Sequence, residues 1–303
     1  MKAIFHSILF LFVAMTACGQ EEGYIISDGF RLNYRVIGQG TPALVVGSSV
    51  YYARMYSENL QKHLKMVMTD HRGFVPPNGE RDHSDYQLEK IIDDMEAVRK
   101  KLDLGKVIVI GHSGHSFMAL EYAKKYPQNV SHVVMIGTAP DFGPENTALI
   151  DRTWSESVDP ERKTVLEENF KRITDEEIAA LPSGEAFIRN YVRSGPMAWY
   201  DPYFDSTPLW EGVYVNEDML NYVWGTVFVE IDITKGLSEL EAPVFLALGR
   251  YDYLVGPAFT WNAYRDKFPD LTIRIFEKSG HSPMYEEPEV FDRELLAWLE
   301  SRE

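Results

Sequence analysis

The stretch KVIVIGHSGHSFMALEYAKKYP, residues 106–127, passes from a strand pattern to a helix pattern within a few residues. Residues 107–110 form an uninterrupted β-branched run, which is typical of a strand covered on both faces. Downstream, apolar residues recur at helical spacing until Pro127 ends the pattern. Ser113 lies in the sharp turn between the two, where its hydroxyl would project above a sheet and the helix N–H groups would face a developing oxyanion. The stretch therefore predicts an α/β architecture with Ser113 as a candidate nucleophile.

The turn matches the G-x-S-x-G pattern of a nucleophile elbow only in part. Gly111 and Ser113 fit the pattern, but His115 occupies the place of the second glycine. That glycine normally allows helix and strand to approach closely, so His115 needs extra room or a shifted helix start. Ser116 is a rival nucleophile, but it lies one turn into the helix, where its hydroxyl can bond back to the backbone. A polar turn without any catalytic role is the remaining interpretation.

The composition is that of a globular chain with a large core. The chain has 303 residues, of which 45% are hydrophobic and 25% charged, and its formal net charge is −16. This negative charge repels nucleic-acid backbones, and there is no basic cluster to override it, so nucleic acid is excluded as a partner. We expect one large domain with an insertion.

The N-terminus has the pattern of a secretory signal. Met1-Lys2 precede an apolar run at 4–15 that is shorter than the roughly 20 residues needed to span a membrane. The only cysteine, Cys18, follows small residues and resembles the lipobox of bacterial lipoproteins. We therefore expect a signal peptide at 1–17, lipidation of Cys18 and a tether at 18–23. The resemblance implies a membrane-anchored lipoprotein on the periplasmic side of the bacterial cell envelope, and Gly19 resembles the outer-membrane sorting pattern. The alternative is a plain signal peptide with an incidental cysteine.

Beyond the tether, strand and helix patterns alternate. Asp28-Gly29 between alternating segments predicts a hairpin. The remaining predicted elements are strands at 43–49, 66–70, 107–110 and 130–136, with helices at 88–102 and 116–126. This order predicts a mostly parallel sheet with helices on both faces and antiparallel strands at one edge.

The alternation stops near Gly137 and resumes after Pro243, where VFLALG is another buried strand. We expect an α/β core at 24–139 and 242–303, with a mainly helical lid inserted at 140–241. The last third of the lid is rich in aromatic residues, about half of which we assign to the lid's own core and the rest to a substrate pocket. These residues are Trp199, Tyr200, Tyr203, Phe204, Trp210, Tyr214, Tyr222, Trp224 and Phe228.

Two loops supply partners for the serine. A serine hydroxyl needs a base to take its proton and a carboxylate to orient that base. Asp252 follows the predicted strand at 244–248, and His281 follows the one at 271–276. The chain order Ser, Asp, His is that of the α/β-hydrolase triad. The other histidines fall in polar segments, on a strand or in a structural loop.

With these motifs, the chain resembles an α/β-hydrolase of the proline iminopeptidase type over 23–303. The segment DHRGF at 70–74 resembles that family's D-x-R-G-x loop, which is mainly structural. The resemblance implies that Ser113 is the nucleophile, His281 the general base and then acid, and Asp252 its orienting carboxylate. It also implies an oxyanion hole made by the N–H of Gly114 and an N–H from the loop after the third strand. Where the family carries HGGPG, this chain has GSSVY at 47–51, and we expect Ser49 to be the second donor.

The expected reaction is hydrolysis of an ester, lactone or amide bond of a small molecule or short peptide, with no metal or organic cofactor. An aminopeptidase of this type holds the substrate's α-amino group with lid carboxylates, but the comparable place here is Asn221, which attracts an ammonium group less. Glu217, Asp218 or Glu230 could substitute, so aminopeptidase activity stays an alternative. His115 and the altered loop also leave open a non-catalytic receptor, and the triad is shared with carbon–carbon bond cleavage.

Overall fold

The structure is a computed structural model that describes residues 21–302. The predicted signal peptide and Cys18 lie outside the described residues. The first strand begins at Glu21 and pairs Glu21 with Val36, so residues 21–23 belong to the sheet, although we expected them in the tether.

The core of the described chain is one sheet of eight strands in the order β1-β2-β4-β3-β5-β6-β7-β8. All neighbours from β4 onwards in this order run parallel, whereas the β1/β2 and β2/β4 pairs are antiparallel. This confirms the predicted mostly parallel sheet with an antiparallel hairpin at one edge. The strands are β1 Glu21–Ser27, β2 Phe30–Ile37, β3 Thr41–Gly47, β4 Leu64–Asp70, β5 Val107–His112, β6 Val130–Ile136, β7 Val244–Gly249 and β8 Leu271–Phe276.

The edge hairpin forms because its two turn residues accept left-handed backbone. Asp28 has φ of 47° and Gly29 has φ of 82°. Two consecutive residues with positive φ match the right-handed twist of the flanking strands, and Asp-Gly is a preferred pair for this turn. In β2, every second residue from Phe30 onward is buried, so one face of the hairpin closes the core.

Helices cover the sheet and fill the interval between β6 and β7. The α-helices outside that interval are α1 Leu88–Lys101, α2 His115–Lys125, α11 Pro283–Glu286 and α12 Pro288–Glu300. Those within it are α3 Pro144–Ser157, α4 Pro160–Arg172, α5 Asp175–Ala179, α6 Ser183–Arg193, α7 Gly195–Ala198, α8 Thr207–Trp210, α9 Glu217–Tyr222 and α10 Phe228–Glu230. Short 3₁₀ turns lie at Tyr52–Arg54, Leu60–Lys62, Arg72–Phe74, His83–Tyr86, Pro127–Asn129, Leu237–Glu239, Ala258–Ala263 and Arg265–Lys267.

We call residues 137–243 the insert, and the predicted lid at 140–241 lies inside it. All of its regular elements are helical. A π-helical turn at Val223–Val227 separates α9 from α10. Among residues 21–302, none of the helices has the length and apolar character that crossing a bilayer requires.

The sheet topology determines where a site can form. The chain runs from β3 to β4 on one side and then returns to β5 on the other side of β3. In open parallel sheets, the crevice at the carboxyl ends of such strands is the usual ligand site. The loops after β3, β5, β7 and β8 all leave from that edge, which brings together residues that are distant in the sequence.

Candidate active site

Ser113 lies at the strand-to-helix turn, as predicted. β5 ends at His112, α2 begins at His115, and Ser113 has φ of 57°. A left-handed backbone is costly for a residue with a β-carbon, and such strained residues cluster at turns and at active sites. The turn is held on both sides, because Ser113 N–H donates to the carbonyl of Ile136 at 2.8 Å and Ser116 N–H donates to the carbonyl of Ser113 at 2.9 Å.

Ser116 is engaged elsewhere. Its hydroxyl donates to the carbonyl oxygen of Gly111 at 2.9 Å, and the side chain is fully buried. This is the back-bonding expected of a serine one turn into a helix. Ser113 is therefore the elbow serine whose side chain faces open space.

The loops after β7 and β8 place the predicted carboxylate and histidine in contact. His281 Nδ1 lies 2.7 Å from Asp252 Oδ2, and both side chains are almost completely buried. The other Asp252 oxygen accepts the N–H of Leu254 at 3.0 Å. Because Nδ1 carries the proton that Asp252 accepts, Nε2 of His281 is left as an acceptor. Ser113 and His281 line the same cavity.

The backbone of His281 is fixed from two directions. Its N–H donates to the carbonyl of Ala198 in the insert at 2.6 Å. Its carbonyl accepts a hydrogen bond from His112 Nε2 at 2.9 Å. The histidine loop is thus held by the insert on one side and by the residue preceding Ser113 on the other.

Glu286 joins the same loop to the insert. One carboxyl oxygen accepts the N–H groups of Gly280 at 2.9 Å and Ser282 at 3.1 Å, and the other accepts the N–H of Tyr200 at 2.6 Å. Burial raises the pKa of Glu286 to about 7, although these backbone donors oppose the shift. The carboxyl group therefore connects the loop around His281 with the segment after α7.

A buried network of imidazoles lies beside the elbow. His115 Nε2 is 2.9 Å from Nε2 of His71, and His115 Nδ1 is 3.0 Å from both the Tyr52 hydroxyl and the His112 carbonyl. The Tyr52 hydroxyl is also 3.1 Å from Nδ1 of His112. His115, which departs from the glycine of the motif, is thus the central member of a polar network inside the core.

The two ends of the network determine every proton position. Gly73 N–H donates to His71 Nδ1 at 2.9 Å, so the His71 proton lies on Nε2 and is donated to His115 Nε2. The His115 proton then lies on Nδ1, where the His112 carbonyl and the Tyr52 oxygen accept it.

At the other end, His112 Nε2–H donates to the carbonyl of His281, so Nδ1 of His112 is the acceptor for the Tyr52 hydroxyl. Burial lowers the pKa of His115 to about 4 and lowers those of His71 and His112 well below the usual value. All three rings are therefore neutral, as this pattern of donors and acceptors requires.

The loop after β3 does not bring Ser49 to the site. Ser49 N–H donates to Asp70 Oδ1 at 2.6 Å, and Ser49 lines a different cavity, bounded by β1 and β2. The next donors are also engaged, because Tyr51 N–H bonds to the Ser48 hydroxyl and Tyr52 N–H bonds to the Ser48 carbonyl. Without the glycines and proline of HGGPG, the loop leads into the 3₁₀ turn at Tyr52–Arg54, and the N–H groups of Ser49, Tyr51 and Tyr52 are used within the loop or by Asp70. Gly114 remains in place, directly after Ser113 at the start of α2.

The cavity above Ser113 is apolar and has a volume of about 300 Å³. Its lining includes neither carboxylates nor lysine or arginine. The lining residues are Tyr51, Tyr52, Phe74, His112, Ser113, His115, Phe142, Phe187, Tyr191, Trp210, Leu220, Asn221, Trp224, Leu254, Val255 and His281.

Several of these residues were not predicted from the sequence. Of the insert aromatics singled out above, only Trp210 and Trp224 line the cavity, whereas Trp199 and Phe228 are buried in the core. Tyr52 and the histidine network were missed, and the one signal in the sequence was the unexpected His115 in the elbow motif. Within residues 21–302, no group of three or more His, Cys, Asp or Glu side chains is arranged to hold a metal ion.

Comparison with known proteins agrees with the fold. Residues 39–288 match the family model described as alpha/beta hydrolase fold. The chain is 39% identical to the AB hydrolase superfamily protein YclE of Bacillus subtilis, over 93% of this chain and 99% of that protein. It is 25% identical to a proline iminopeptidase of Heyndrickxia coagulans, over 89% of this chain and 95% of that protein. The crystal structure of a proline iminopeptidase from Mycobacterium smegmatis superposes with a TM-score of 0.66 at 14% identity, covering 94% of this chain and 98% of that one.

Proposed function

The chain belongs to the α/β-hydrolase fold family, and on that premise we propose that it is a serine hydrolase of small apolar substrates. The bond cleaved is a carboxylic ester, lactone or amide, and the reaction passes through an acyl-enzyme on Ser113. One observation carries the proposal: the elbow serine and His281, which are distant in sequence, line one apolar cavity, and Asp252 bonds to His281 from behind it.

The proposed chemistry uses only side chains of this chain. His281 Nε2 takes the proton of the Ser113 hydroxyl as its oxygen attacks the substrate carbonyl. The leaving alcohol or amine departs with that proton, which leaves an ester on Ser113. Water then loses a proton to His281, attacks this ester and releases the acid, and His281 returns the proton to Ser113. Asp252 holds His281 in the required tautomer and stabilises its protonated form.

The lining of the cavity favours a neutral, apolar acyl group. A small cavity lined by aromatic side chains excludes a charged group, whose desolvation no partner would offset. The aminopeptidase alternative requires a carboxylate for the substrate ammonium, and the polar side chain available at that place is Asn221. We therefore favour esters or lactones with compact apolar acyl groups, although a curated relative is a proline iminopeptidase.

A fluorophosphonate probe tests the proposal, because it phosphonylates only an activated serine. We expect wild type to label and Ser113→Ala not to label, with a loss of ester turnover of roughly a million-fold. Ser116→Ala is the matched control, since this neighbouring serine is buried and bonded to Gly111, and it should label as wild type does.

A folded wild-type protein that neither labels nor hydrolyses short acyl p-nitrophenyl esters would contradict the proposal and favour the receptor alternative. A panel of those esters beside prolyl arylamides separates esterase from aminopeptidase. Release of fragments from a β-diketone, with no ester turnover, would instead indicate carbon–carbon bond cleavage.

We also propose that the protein is a lipoprotein anchored through Cys18 on the periplasmic side of the cell envelope. The support is the sequence pattern around Cys18. In the native host, Cys18→Ser should move the protein from the membrane fraction to the soluble fraction and abolish labelling by radioactive palmitate. Wild-type protein recovered in the soluble fraction would contradict the anchor.

A further inference from the structure

We propose that the indole N–H of Trp224 is the second donor to the oxyanion, beside the N–H of Gly114. Trp224 would then be a catalytic residue supplied by the insert. This inference rests on the proposed serine-hydrolase function and adds a group to it.

The need for such a donor follows from the loop after β3. Acyl transfer through a tetrahedral intermediate requires preorganised donors at the developing oxyanion. The N–H groups of Ser49, Tyr51 and Tyr52 all donate within the loop or to Asp70. Val50 lines the same separate cavity as Ser49 and not the cavity above Ser113, so we expect a second donor for the oxyanion from another part of the cavity lining.

Trp224 lies beside Gly114, at the cavity that Ser113 and His281 line. Its Nε1 is 2.5 Å from the point where a β-carbon on Gly114 would lie, so the indole nitrogen is packed against the residue that supplies the first donor. This contact also explains a glycine at 114, because any side chain there would collide with the indole.

The indole N–H is free to donate. An indole nitrogen is a donor only, and the Trp224 side chain is partly exposed where it lines the cavity. Among residues 21–302, the contacts of this side chain are with aromatic rings, and its Nε1 makes no hydrogen bond. By contrast, the hydroxyl of Tyr52, which also lines the cavity, is already a donor to His112.

Neighbouring rings hold the indole in position. Trp224 makes edge contacts with His115, at a centroid distance of 5.2 Å, and with Phe228 at 5.0 Å. His115 is in turn fixed by its network, so the histidine at the glycine position of the motif supports the indole. The insert also changes its winding here, since Trp224 lies in the π-helical turn at Val223–Val227. Such turns are rare and occur frequently at functional sites.

Trp224→Phe tests the proposal because it removes the N–H and retains an aromatic ring. We expect kcat on a short acyl p-nitrophenyl ester to fall about 100-fold, with KM changed much less, as for loss of one oxyanion donor. The matched control is Trp154→Phe in α3, which contacts Tyr253 outside the cavity and should keep kcat within about twofold. A Trp224→Phe protein that keeps its kcat, or that changes only KM, would overturn the proposal.

A spectroscopic measurement gives a second readout. In ¹⁵N-labelled protein, phosphonylation of Ser113 places a phosphonyl oxygen in the oxyanion site. The Trp224 indole N–H signal, assigned by its absence in Trp224→Phe, should then move downfield, while that of Trp154 stays in place. If the adduct forms and the Trp224 signal does not move, this inference fails and the proposed function stands. If no adduct forms in the folded protein, the proposed function itself fails.

Discussion

Nε2 of His71 lies 2.9 Å from Nε2 of His115, and this buried contact exists only while both rings are neutral. One ring must donate and the other accept, and two imidazolium rings would bring donor against donor. Burial lowers the pKa of both histidines, that of His115 to about 4. The polar network beside the elbow therefore makes the fold sensitive to acid.

We expect the contribution of the three buried histidines to stability to fall as the pH drops from about 6.5 towards 4, whereas Glu286, with its raised pKa, acts in the opposite direction. The unfolded chain protonates its histidines near pH 6.5, whereas the folded chain keeps His71, His112 and His115 neutral. Below pH 6.5 these histidines bind more protons in the unfolded state, so acid favours unfolding. The lowered pKa of His115 alone should reduce the unfolding free energy by about 2 kcal/mol at pH 5. Urea unfolding at pH 7.5 and at pH 5 measures the difference in unfolding free energy between the two pH values.

Two variants assign this acid sensitivity to the network. Glutamine does not titrate. The difference in unfolding free energy between pH 7.5 and pH 5 should therefore be smaller for His115→Gln than for wild type. His63→Gln is the control, because His63 is exposed and should leave the difference as in wild type. Equal acid sensitivity of wild type and His115→Gln would contradict the assignment.

Arg162→Met should destabilise the protein by about 3 kcal/mol, because two buried carbonyls and one partly buried carbonyl would lose a charged donor. Arg162 is buried and donates to the carbonyls of Pro196, Trp199 and Tyr200. The same segment holds the N–H of His281, so kcat should also fall. Arg172→Met, an exposed arginine on the same helix, should change the unfolding free energy by less than about 0.5 kcal/mol. Similar urea midpoints for the two variants would show that Arg162 does not hold the segment.

Asp252→Asn should lower kcat by about 10⁴-fold and leave the melting temperature nearly unchanged. The amide has the same shape as the carboxylate and still accepts the Leu254 N–H, but its NH₂ group imposes the wrong tautomer on His281. Steady-state kinetics and thermal unfolding on the same preparation check both parts. An Asp252→Asn enzyme within tenfold of wild type would show that another carboxylate orients His281.

Asn221→Glu should increase kcat/KM for a prolyl arylamide by about tenfold or more. The new carboxylate would line the cavity and pair with the substrate ammonium, and hydrogen bonds to charged groups contribute about 1.5–3 kcal/mol. Asn221→Gln has nearly the same size without the charge and should show no gain. If wild type already prefers the prolyl arylamide over esters, the cavity recognises the ammonium by other means and our preference for esters is wrong.

The sheet could be predicted from the sequence because its signals are local. The β-branched runs, the Asp-Gly turn and the helical spacing after Ser113 each lie within a few residues, and the structure places strands and helices there. The stretch at 222–233 was harder to interpret, because its apolar residues fit a strand as well as a buried helix. Packing against the core makes this stretch helical, and no local sequence pattern predicts its π-turn.

By itself, the sequence determined the mostly parallel sheet and the placing of Ser113, Asp252 and His281 after three of its strands. These follow from hydrophobic period and from chain order along one edge of the sheet. Only the tertiary structure decided the contact of Trp224 with Gly114, the histidine network and the loss of the Ser49 N–H to Asp70. These contacts join side chains that are distant in the sequence, and their geometry depends on how the insert and the loops pack over the sheet.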